Sequence, residues 1–428
     1  MLSVAEAESR ILGLCVPLVG EHTETVPLGQ ARGRVLAEAV VAARDVPHWD
    51  NSAMDGYAVR SQDCQPESES ESEQGLAVID ELPAGAEPRQ GLQAGQAMRI
   101  FTGGVLPAGA DAVVMQEETE RRGDRVLIQA AVEPGQFVRQ QGKYCRAGTP
   151  ILSPGIALGP AELAIAAANQ TAELTVVRRP RVAILSTGNE LVSVDAPLEP
   201  GQIVDSNRYA LTAFVEQMGA IAIPLGIVGD RRETVTAVIR EAIAQADIVL
   251  STGGVSVGDY DYVEAVLEEL GGAIAVRKVA IKPGKPLTVA QFSADTLQSL
   301  GLEGDQASRP VVYFGLPGNP VSALVGCWRF VAPALRTIVG RSPDAIAPQF
   351  VMATARSPLK GAGKRDNYLW GRLSCGVSGF EFSGAIGPHQ SANLINLAGT
   401  TGLAIVPAGS PTISVGESVQ VMMIQELR

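Results

Sequence analysis

The sequence is poor in the residues from which soft-metal sites and disulfide frameworks are built. Its 428 residues include three histidines, which lie far apart, and five cysteines without a C-x-x-C pair. Zinc sites and structural disulfides are therefore not expected. A bound metal should instead be a hard cation such as Mg²⁺, held by oxygen ligands.

Long apolar runs and an excess of basic residues are also missing. No run approaches the ~18 apolar residues of a membrane span. The first residues include Glu6 and Glu8 and do not follow a signal-peptide pattern. The formal net charge of −12 argues against nucleic acid as the main partner. We expect a soluble, cytoplasmic protein whose partners include neither membrane nor nucleic acid.

The chain is long enough for roughly three domains, and its patterns change along its length. Composition separates a discontinuous N-terminal domain, at 1–43 and 141–178, from a small β domain at 44–140 with short strands between turns. Residues 179–342 alternate strands and helices, which predicts a doubly wound parallel α/β sheet. Short strands return at 343–428 and predict a small β-barrel or sandwich.

An acidic segment interrupts the small β domain. Residues 61–74 (SQDCQPESESESEQ) contain five acidic residues and no basic ones. Low complexity and charge repulsion predict a disordered surface loop. An acidic docking tail is the alternative interpretation.

The stretch 246–262 (ADIVLSTGGVSVGDYDY) combines a buried strand, a glycine-rich loop and the start of a helix. Such a loop offers backbone N–H groups and a positive helix end to an anionic ligand. The G-x-G-x-x-G spacing of dinucleotide-binding loops is missing, and a tight connection without a ligand explains the pattern equally well. The candidate binding residues here are Ser251, Gly253, Gly254, Ser256 and Asp259.

Four more loops rich in Gly, Pro, Ser and charge follow predicted strands. Ligands of open α/β sheets bind outside the carboxyl ends of the strands, so these loops should meet at one edge. The five loops are 186–191, 227–230, 251–261, 280–286 and 315–322.

The charged residues of these loops are of two kinds. The carboxylates suit a hard divalent cation; they are Glu190, Asp230, Asp259 and Asp261. The ammonium groups suit phosphate or another oxyanion; they belong to Lys278, Lys282 and Lys285. An acidic cluster beside a basic one is what a metal-assisted reaction on a phosphate requires.

Each of these residues also has a purely structural interpretation. Asp230 and Asp259 fit the caps of the helices that follow them. Glu190 fits a solvated turn, and Lys282 and Lys285 fit a rigid surface turn between prolines. Clustering at one sheet edge favours the functional interpretation of the whole set.

Several motifs closely resemble those of the MoeA family, the molybdopterin molybdenumtransferases, to which the E domain of gephyrin also belongs. Within the α/β region the matching motifs are STGNEL (186–191), STGGVSVGDYD (251–261), KVAIKPGKP (278–286) and GLPGNPVSA (315–323). Outside it the matches are 45–60, 99–118 and 201–207. The resemblance covers nearly the whole chain, in one order.

This resemblance implies a function and an assembly. The implied reaction is the Mg²⁺-dependent insertion of molybdenum, from molybdate, into adenylylated molybdopterin with release of AMP. The implied fold has four domains and forms a homodimer. Its cleft lies between the α/β and C-terminal domains of one subunit and the small β domain of the other. A molybdopterin adenylyltransferase is the implied protein partner.

The resemblance also implies roles for the residues of this chain that match the family's motifs. The implied catalytic residues are Asp261, Asp230, Glu190, Lys278, Lys282 and Lys285, with the three carboxylates as candidate Mg²⁺ ligands. The implied molybdate pocket consists of Lys282, Lys285, Pro286, Arg365 and Ser391. Pro317, Pro320 and Ser322 are implied to shape the cleft, and Asp55 and Thr102 to reach in from the partner subunit.

Three positions depart from the family pattern. Tyr144 stands where an aspartate is frequent, and Trp370 where a later arginine is usual. The usual Q-G-S-G is replaced by His389-Gln390-Ser391-Ala392, one residue shorter. Two other functions remain open, a molybdopterin adenylyltransferase and a non-enzymatic scaffold, as does the choice between molybdate and tungstate.

Overall fold

A computed structural model describes residues 1–65, 75–254, 262–304, 307–377 and 379–425. Contacts between residues divide the chain into two units. The smaller unit comprises Glu38–Ser153 and Pro160–Ala172, and the larger one Met1–Ala37, Pro154–Gly159 and Glu173–Arg428. The boundaries of the four predicted domains stay a prediction.

The smaller unit is built on a six-stranded sheet. In spatial order its strands are Ala112–Met115, Gly56–Val59, Gln96–Ile100, Leu76–Leu82, Arg125–Ile128 and Thr119–Arg122. Successive side chains alternate between the two faces, so Tyr57 and Val59 pack in one buried cluster and Ala58 in another. The predicted small β domain is confirmed.

Shorter elements accompany this sheet in the smaller unit. They are the strand pairs Val40–Val41 with Pro150–Leu152 and Asn51–Ser52 with Val138–Arg139, and the helix Pro160–Ala168.

The larger unit contains a second six-stranded sheet. In chain order its strands are β1 (Arg181–Thr187), β2 (Ile221–Val228), β3 (Ile248–Thr252), β4 (Ala273–Lys278), β5 (Pro286–Phe292) and β6 (Val311–Leu316). Their spatial order is β2-β1-β3-β6-β5-β4. The first four are parallel neighbours, whereas β5 is antiparallel to both β6 and β4.

The doubly wound α/β domain is thus confirmed, and β5 is an addition to it. The sequence does not predict β5 because its first residue, Pro286, belongs to the Gly- and Pro-rich segment 280–286. Since two antiparallel steps restore the direction, β4 runs the same way as β6. The loop after β4 therefore lies at the carboxyl edge, as predicted.

Helices cover both faces of this sheet. Val182 and Ile184 of β1 pack in a cluster with the helices Val4–Leu14, Ser206–Gln217, Pro320–Gly326 and Ala332–Ile338. Ala183 and Leu185 pack in the opposite cluster with the helices Arg232–Gln245, Val263–Glu269 and Ala294–Ser299. Burial on both faces explains why β1 and β3 are continuous apolar runs.

The helical stretch Pro320–Ile338 is long and apolar enough, by length and composition, to cross a membrane. Its two helices are joined by a π-helical turn at Cys327–Val331. Of its most apolar window, 78% is buried inside the structure, and such burial is typical of a core helix.

Five strands near the C-terminus close into a barrel. In order they are Asp366–Gly376, Gly379–Gly384, Phe350–Ala355, Ser418–Met423 and Gly402–Val406. The long strand Asp366–Gly376 pairs with both Gly379–Gly384 and Gly402–Val406, which closes the ring and confirms the barrel.

Short strands connect these parts of the larger unit. Ile281–Lys282, between β4 and β5, pairs in parallel with Asp366 and Asn367 and so joins the α/β sheet to the barrel. The other short pairs are Thr23–Pro27 with Glu173–Val177, Leu191–Val192 with Ile203–Val204, and Leu359–Lys360 with Thr412–Ile413.

Candidate functional site

A cleft of about 1040 Å³ lies between the carboxyl edge of the α/β sheet and the barrel. Loops that follow β1, β3, β4 and β6 form one wall, and residues of the barrel domain form the other. The predicted site residues that line it are Glu190, Gly253, Gly254, Lys282, Lys285, Pro286, Pro317, Pro320, Ser322, Arg365 and Ser391. The structure therefore brings most of the predicted set together.

Other predicted residues lie elsewhere. Asp230, Lys278 and Ser251 are not among the lining residues, and Ser251 is fully buried in β3. Asp55 and Thr102 belong to the smaller unit. Ser256, Asp259 and Asp261 lie outside the described residues. The roles of all these residues stay predictions.

The glycines after β3 are required by a close approach of two loops. Gly253 has φ +88°, and a Cβ atom there would lie 2.2 Å from the carbonyl oxygen of Thr187. Gly254 follows with φ +63°. Only glycine adopts such conformations without strain and leaves room for the neighbouring backbone. The S-T-G-G sequence thus lets the β1 and β3 loops touch at the floor of the cleft.

A chain of hydrogen bonds fixes these same loops. The Thr252 hydroxyl donates to Ser186 Oγ at 3.3 Å, and Ser186 Oγ donates to Asp205 Oδ1 at 2.9 Å. Asp205 is 2% exposed and caps the helix Ser206–Gln217 by accepting from the N–H of Arg208. Next to it, Asn207 Nδ2 donates to the Gly318 carbonyl at 2.7 Å. The start of this helix therefore ties the loops after β1, β3 and β6 together.

Sequence reasoning missed Asp205 and Asn207 as site residues. The segment 201–207 matches a family motif, but the residues alone assign it no role. The signal that identifies Asp205 is an aspartate directly before a helical pattern, which is an N-cap signature.

Two carboxylates stand at the ends of β1 and β2. The Asn189 N–H donates to Asp230 Oδ2, and the Asp230 N–H donates to Asn189 Oδ1, both at 3.1 Å. Glu190, which follows directly, lines the cleft and is exposed. The alternative in which Asp230 caps the next helix is wrong, because Arg231 occupies the N-cap position without a side-chain capping bond. The carboxylate of Asp230 instead joins two loops.

Three cations enter the cleft from the other end. Lys282 and Lys285 belong to the loop between β4 and β5, and Arg365 immediately precedes the strand that pairs with Ile281–Lys282. None of the three side chains makes a hydrogen bond or ion pair with the part of the chain that the structure describes. Among the described lining residues, Glu190 is the one carboxylate. This end of the cleft is therefore suited to an anion.

The acidic and basic ends of the cleft are well separated. Three strand spacings lie between β1, which precedes Glu190, and β5, which follows Lys285. At ~4.8 Å per spacing, the separation is about 14 Å. A ligand that contacts both ends must be extended.

The barrel wall is fixed by aromatic and backbone contacts. Trp370 is buried, and its Nε1 donates to Asn396 Oδ1 at 2.9 Å. His389 packs on the Trp370 ring with 4.6 Å between centroids, and its Nε2 lies 3.0 Å from the Trp370 carbonyl oxygen. The Ser391 carbonyl accepts from the N–H of Val321 at 3.2 Å. The shortened segment 389–392 thus still places Ser391 at the cleft.

In the smaller unit, Asp55 and Thr102 form a pair. Both the backbone N–H and the hydroxyl of Thr102 donate to Asp55 Oδ1 at 2.7 Å. These hydrogen bonds, the backbone one first, and then the charge of Arg99 lower the pKa of the Asp55 carboxyl. The two predicted residues are therefore neighbours, on an exposed part of their unit.

Three family models match successive parts of the chain. They are the MoeA N-terminal region (domain I and II) over residues 2–169, the probable molybdopterin binding domain over 183–337, and the MoeA C-terminal region (domain IV) over 352–424.

Curated relatives match at full length. A molybdopterin molybdenumtransferase of Nostoc sp. is 48% identical over 425 residues, covering 99% of this chain and 94% of the relative. The Bacillus subtilis protein of the same name is 34% identical over 410 residues, covering 95% and 90%. The crystal structure of the molybdopterin biosynthesis MoeA protein of Pyrococcus horikoshii superimposes with a TM-score of 0.79 at 27% identity, covering 99% and 100% of the two chains.

Proposed function

Because the chain belongs to the molybdopterin molybdenumtransferase family, whose members are transferases of molybdenum cofactor biosynthesis, we propose that it inserts molybdenum into adenylylated molybdopterin. In this reaction the adenylate is hydrolysed, AMP is released, and molybdenum from molybdate is left on the dithiolene. The observation that carries the proposal is the convergence of Lys282, Lys285 and Arg365 in one cleft, where their charged side chains have no partner among the described residues.

The basic end of the cleft is proposed to hold molybdate. Molybdate is a tetrahedral dianion, so ammonium, guanidinium and hydroxyl donors fit it, whereas carboxylates repel it. Lys282, Lys285, Arg365 and Ser391 supply such donors. Each charge-assisted hydrogen bond contributes about 1.5–3 kcal/mol. Pro286 and Pro320 restrict the backbone around these donors.

The acidic end is proposed to hold Mg²⁺ and the phosphates. Mg²⁺ prefers oxygen ligands and is commonly held by one or two carboxylates together with substrate phosphates. Glu190 and Asp230 offer such carboxylates at adjacent strand ends, and Asp261 is the third proposed ligand. No group of three or more His, Cys, Asp or Glu side chains able to hold a metal occurs among the described residues. When bound, the cation would neutralise phosphate charge.

The separation of the two ends supports an extended substrate. Adenylylated molybdopterin carries its phosphates at one end and its dithiolene at the other. A span of about 14 Å between strands β1 and β5 lets the loop of Glu190 bind the phosphates while the loop of Lys285 holds the oxyanion. The buried hydrogen bonds of Asp205 and Ser186 keep the loops between them in place.

The test is AMP release from adenylyl-molybdopterin as a function of molybdate concentration. Lys285→Ala should reduce the rate at low molybdate by about 10- to 100-fold, since one charge-assisted hydrogen bond is lost. High molybdate should restore part of the rate. Lys364→Ala is the matched control, because Lys364 is exposed, adjoins Arg365 and does not line the cleft. Equal rates for Lys285→Ala and wild type would contradict the proposed role.

The same assay separates the alternatives. Formation of adenylyl-molybdopterin from ATP and molybdopterin would instead identify an adenylyltransferase. No AMP release under any condition would favour a scaffold. The proposal also includes a homodimer, in which Asp55 and Thr102 approach the partner's cleft, and transfer of substrate from a molybdopterin adenylyltransferase. Sedimentation equilibrium tests the dimer.

A further inference from the structure

The edge of the α/β sheet opposite the cleft carries a concentration of arginines. A cavity of about 520 Å³ there is lined by Arg34, Arg178, Arg179 and Arg181. Arg181 is the first residue of β1, and Ile221, the first residue of β2, also lines the cavity. Since β1 has seven residues, this amino edge lies roughly 20 Å from the cleft.

A second cavity of about 520 Å³ shares three of these arginines and adds three more. Arg34, Arg178 and Arg179 line both cavities, and Arg32, Arg336 and Arg341 line the second. We call the two cavities together the arginine groove. Seven arginines line this groove in a chain whose formal net charge is −12.

Part of this charge is used to hold the fold. Arg178 makes two hydrogen bonds to the buried Asp247, at 2.9 and 3.0 Å. Arg34 pairs with Glu24 and donates to the Val177 carbonyl at 2.8 Å. Glu24 and Glu216 are the two carboxylates that line the groove among the described residues. Two acidic residues beside seven arginines leave the lining strongly positive.

Arg336 donates to the carbonyls of Ile346 and Ala347 at 3.2 and 3.4 Å, but other guanidinium groups of the groove are available. The side chains of Arg179 and Arg181 make no hydrogen bond or ion pair with any residue that the structure describes. Nε of Arg341 is buried and likewise lacks a partner within the described ranges. A buried N–H without a partner is costly, so a bound acceptor at this position is favoured.

Like charges face each other in the second cavity. Burial and then the charge of Arg341 lower the pKa of the Arg336 guanidinium. Mutual repulsion of this kind is relieved when an anion binds between the two groups. The cavity thus favours ligands with several negative charges.

The chemistry of the lining selects the ligand. The planar guanidinium fork matches phosphate oxygens in a bidentate manner. Among the described residues, no aromatic ring lines either cavity, so no aromatic side chain is placed to stack on a nucleobase. We propose that the arginine groove is a second anion site, separate from the cleft, that binds a compact polyphosphate of the diphosphate or triphosphate class.

Titration calorimetry of the full chain with tripolyphosphate at low salt tests this proposal. The double variant R179Q/R181Q should bind at least tenfold more weakly than wild type. The control variant R89Q/R121Q removes two exposed arginines of the smaller unit and should bind as wild type does. ATP should bind no more tightly than tripolyphosphate, because only its phosphates are recognised.

Further binding measurements distinguish the arginine groove from the cleft. Saturating molybdate and the Lys285→Ala variant should both leave tripolyphosphate binding unchanged. The variant R179K/R181K keeps the charge but removes the fork, so it should show an intermediate loss and guards against misfolding of the glutamine variant. Equal binding by R179Q/R181Q and wild type, or loss of binding in Lys285→Ala, would overturn the proposal. Since binding is measured without substrate, the outcome does not depend on the proposed activity.

Discussion

The two ends of strand β3 are built on different principles. At the amino end, Asp247 is 1% exposed and is paired with Arg178 and Arg309, while the backbone N–H of Arg181 donates to it at 2.8 Å. At the carboxyl end the strand has no charged residue, and Gly253 and Gly254 follow it. The amino end therefore contributes stability, whereas the carboxyl end leads into the cleft, which Gly253 and Gly254 line.

The largest expected effect concerns the amino end. Asp247→Asn removes a buried negative charge and leaves two guanidinium groups facing an amide. Breaking a buried ion pair from one side typically costs about 3–5 kcal/mol. We expect a loss of this size in the free energy of unfolding, measured by urea denaturation of the full chain.

An exposed ion pair of the same unit is the matched control. Arg232 pairs with Glu269 at 2.8 Å, with both side chains about half exposed. Glu269→Gln should change the free energy of unfolding by less than about 1 kcal/mol. Equal losses in the two variants would show that the amino end of β3 has no special part in stability.

Strand β3 and the loop after it were predictable from the sequence, but the ion pairs of Asp247 before the strand were not. The apolar run before S-T-G-G predicts a buried strand and a loop at the carboxyl edge, and the structure confirms both for β3. Asp247 gives no local signal, because its partners Arg178 and Arg309 are remote in sequence. Contacts of this kind follow from tertiary packing alone.

The same distinction holds for the cleft and the arginine groove. The cleft residues occur in short motifs within five loops, so the sequence identifies Lys282 and Lys285 together. The arginines of the groove come from segments as distant as Arg32 and Arg341. The sequence also does not predict β5. It leaves a helix-capping role for Asp230 open beside metal binding, and the structure shows that the capping role is wrong. Asp261 lies outside the described residues, so its part in the site stays a prediction.

The second largest effect is expected at the carboxyl end of strand β3. Gly253→Ala would place a Cβ atom 2.2 Å from the Thr187 carbonyl oxygen at φ +88°. The backbone must shift, so we expect about 1–3 kcal/mol of destabilisation and a loss of AMP release of about tenfold or more. Chemical denaturation and the AMP assay measure the two effects.

Gly201 offers a control for the conformation alone. It has φ +89°, but a Cβ atom there would meet nothing within 4 Å. Gly201→Ala should therefore show the conformational cost without the loss of AMP release. If both variants lose activity equally, the close approach of the β1 and β3 loops does not shape the site.

The smallest effect compares the buried Asp247 with the exposed Asp55. Both carboxylates accept a backbone N–H, but Asp55 lies in solvent. Because hydrogen bonds from Thr102 lower the pKa of Asp55 in the folded state, they add stability above the unfolded pKa that is lost as pH falls through the folded pKa. Thr102→Val removes the hydroxyl donor and keeps the N–H, so the pKa of Asp55 should rise partway towards its ordinary value. Carboxylate titration by NMR measures this, and an unchanged pKa would assign the whole shift to the backbone N–H and Arg99.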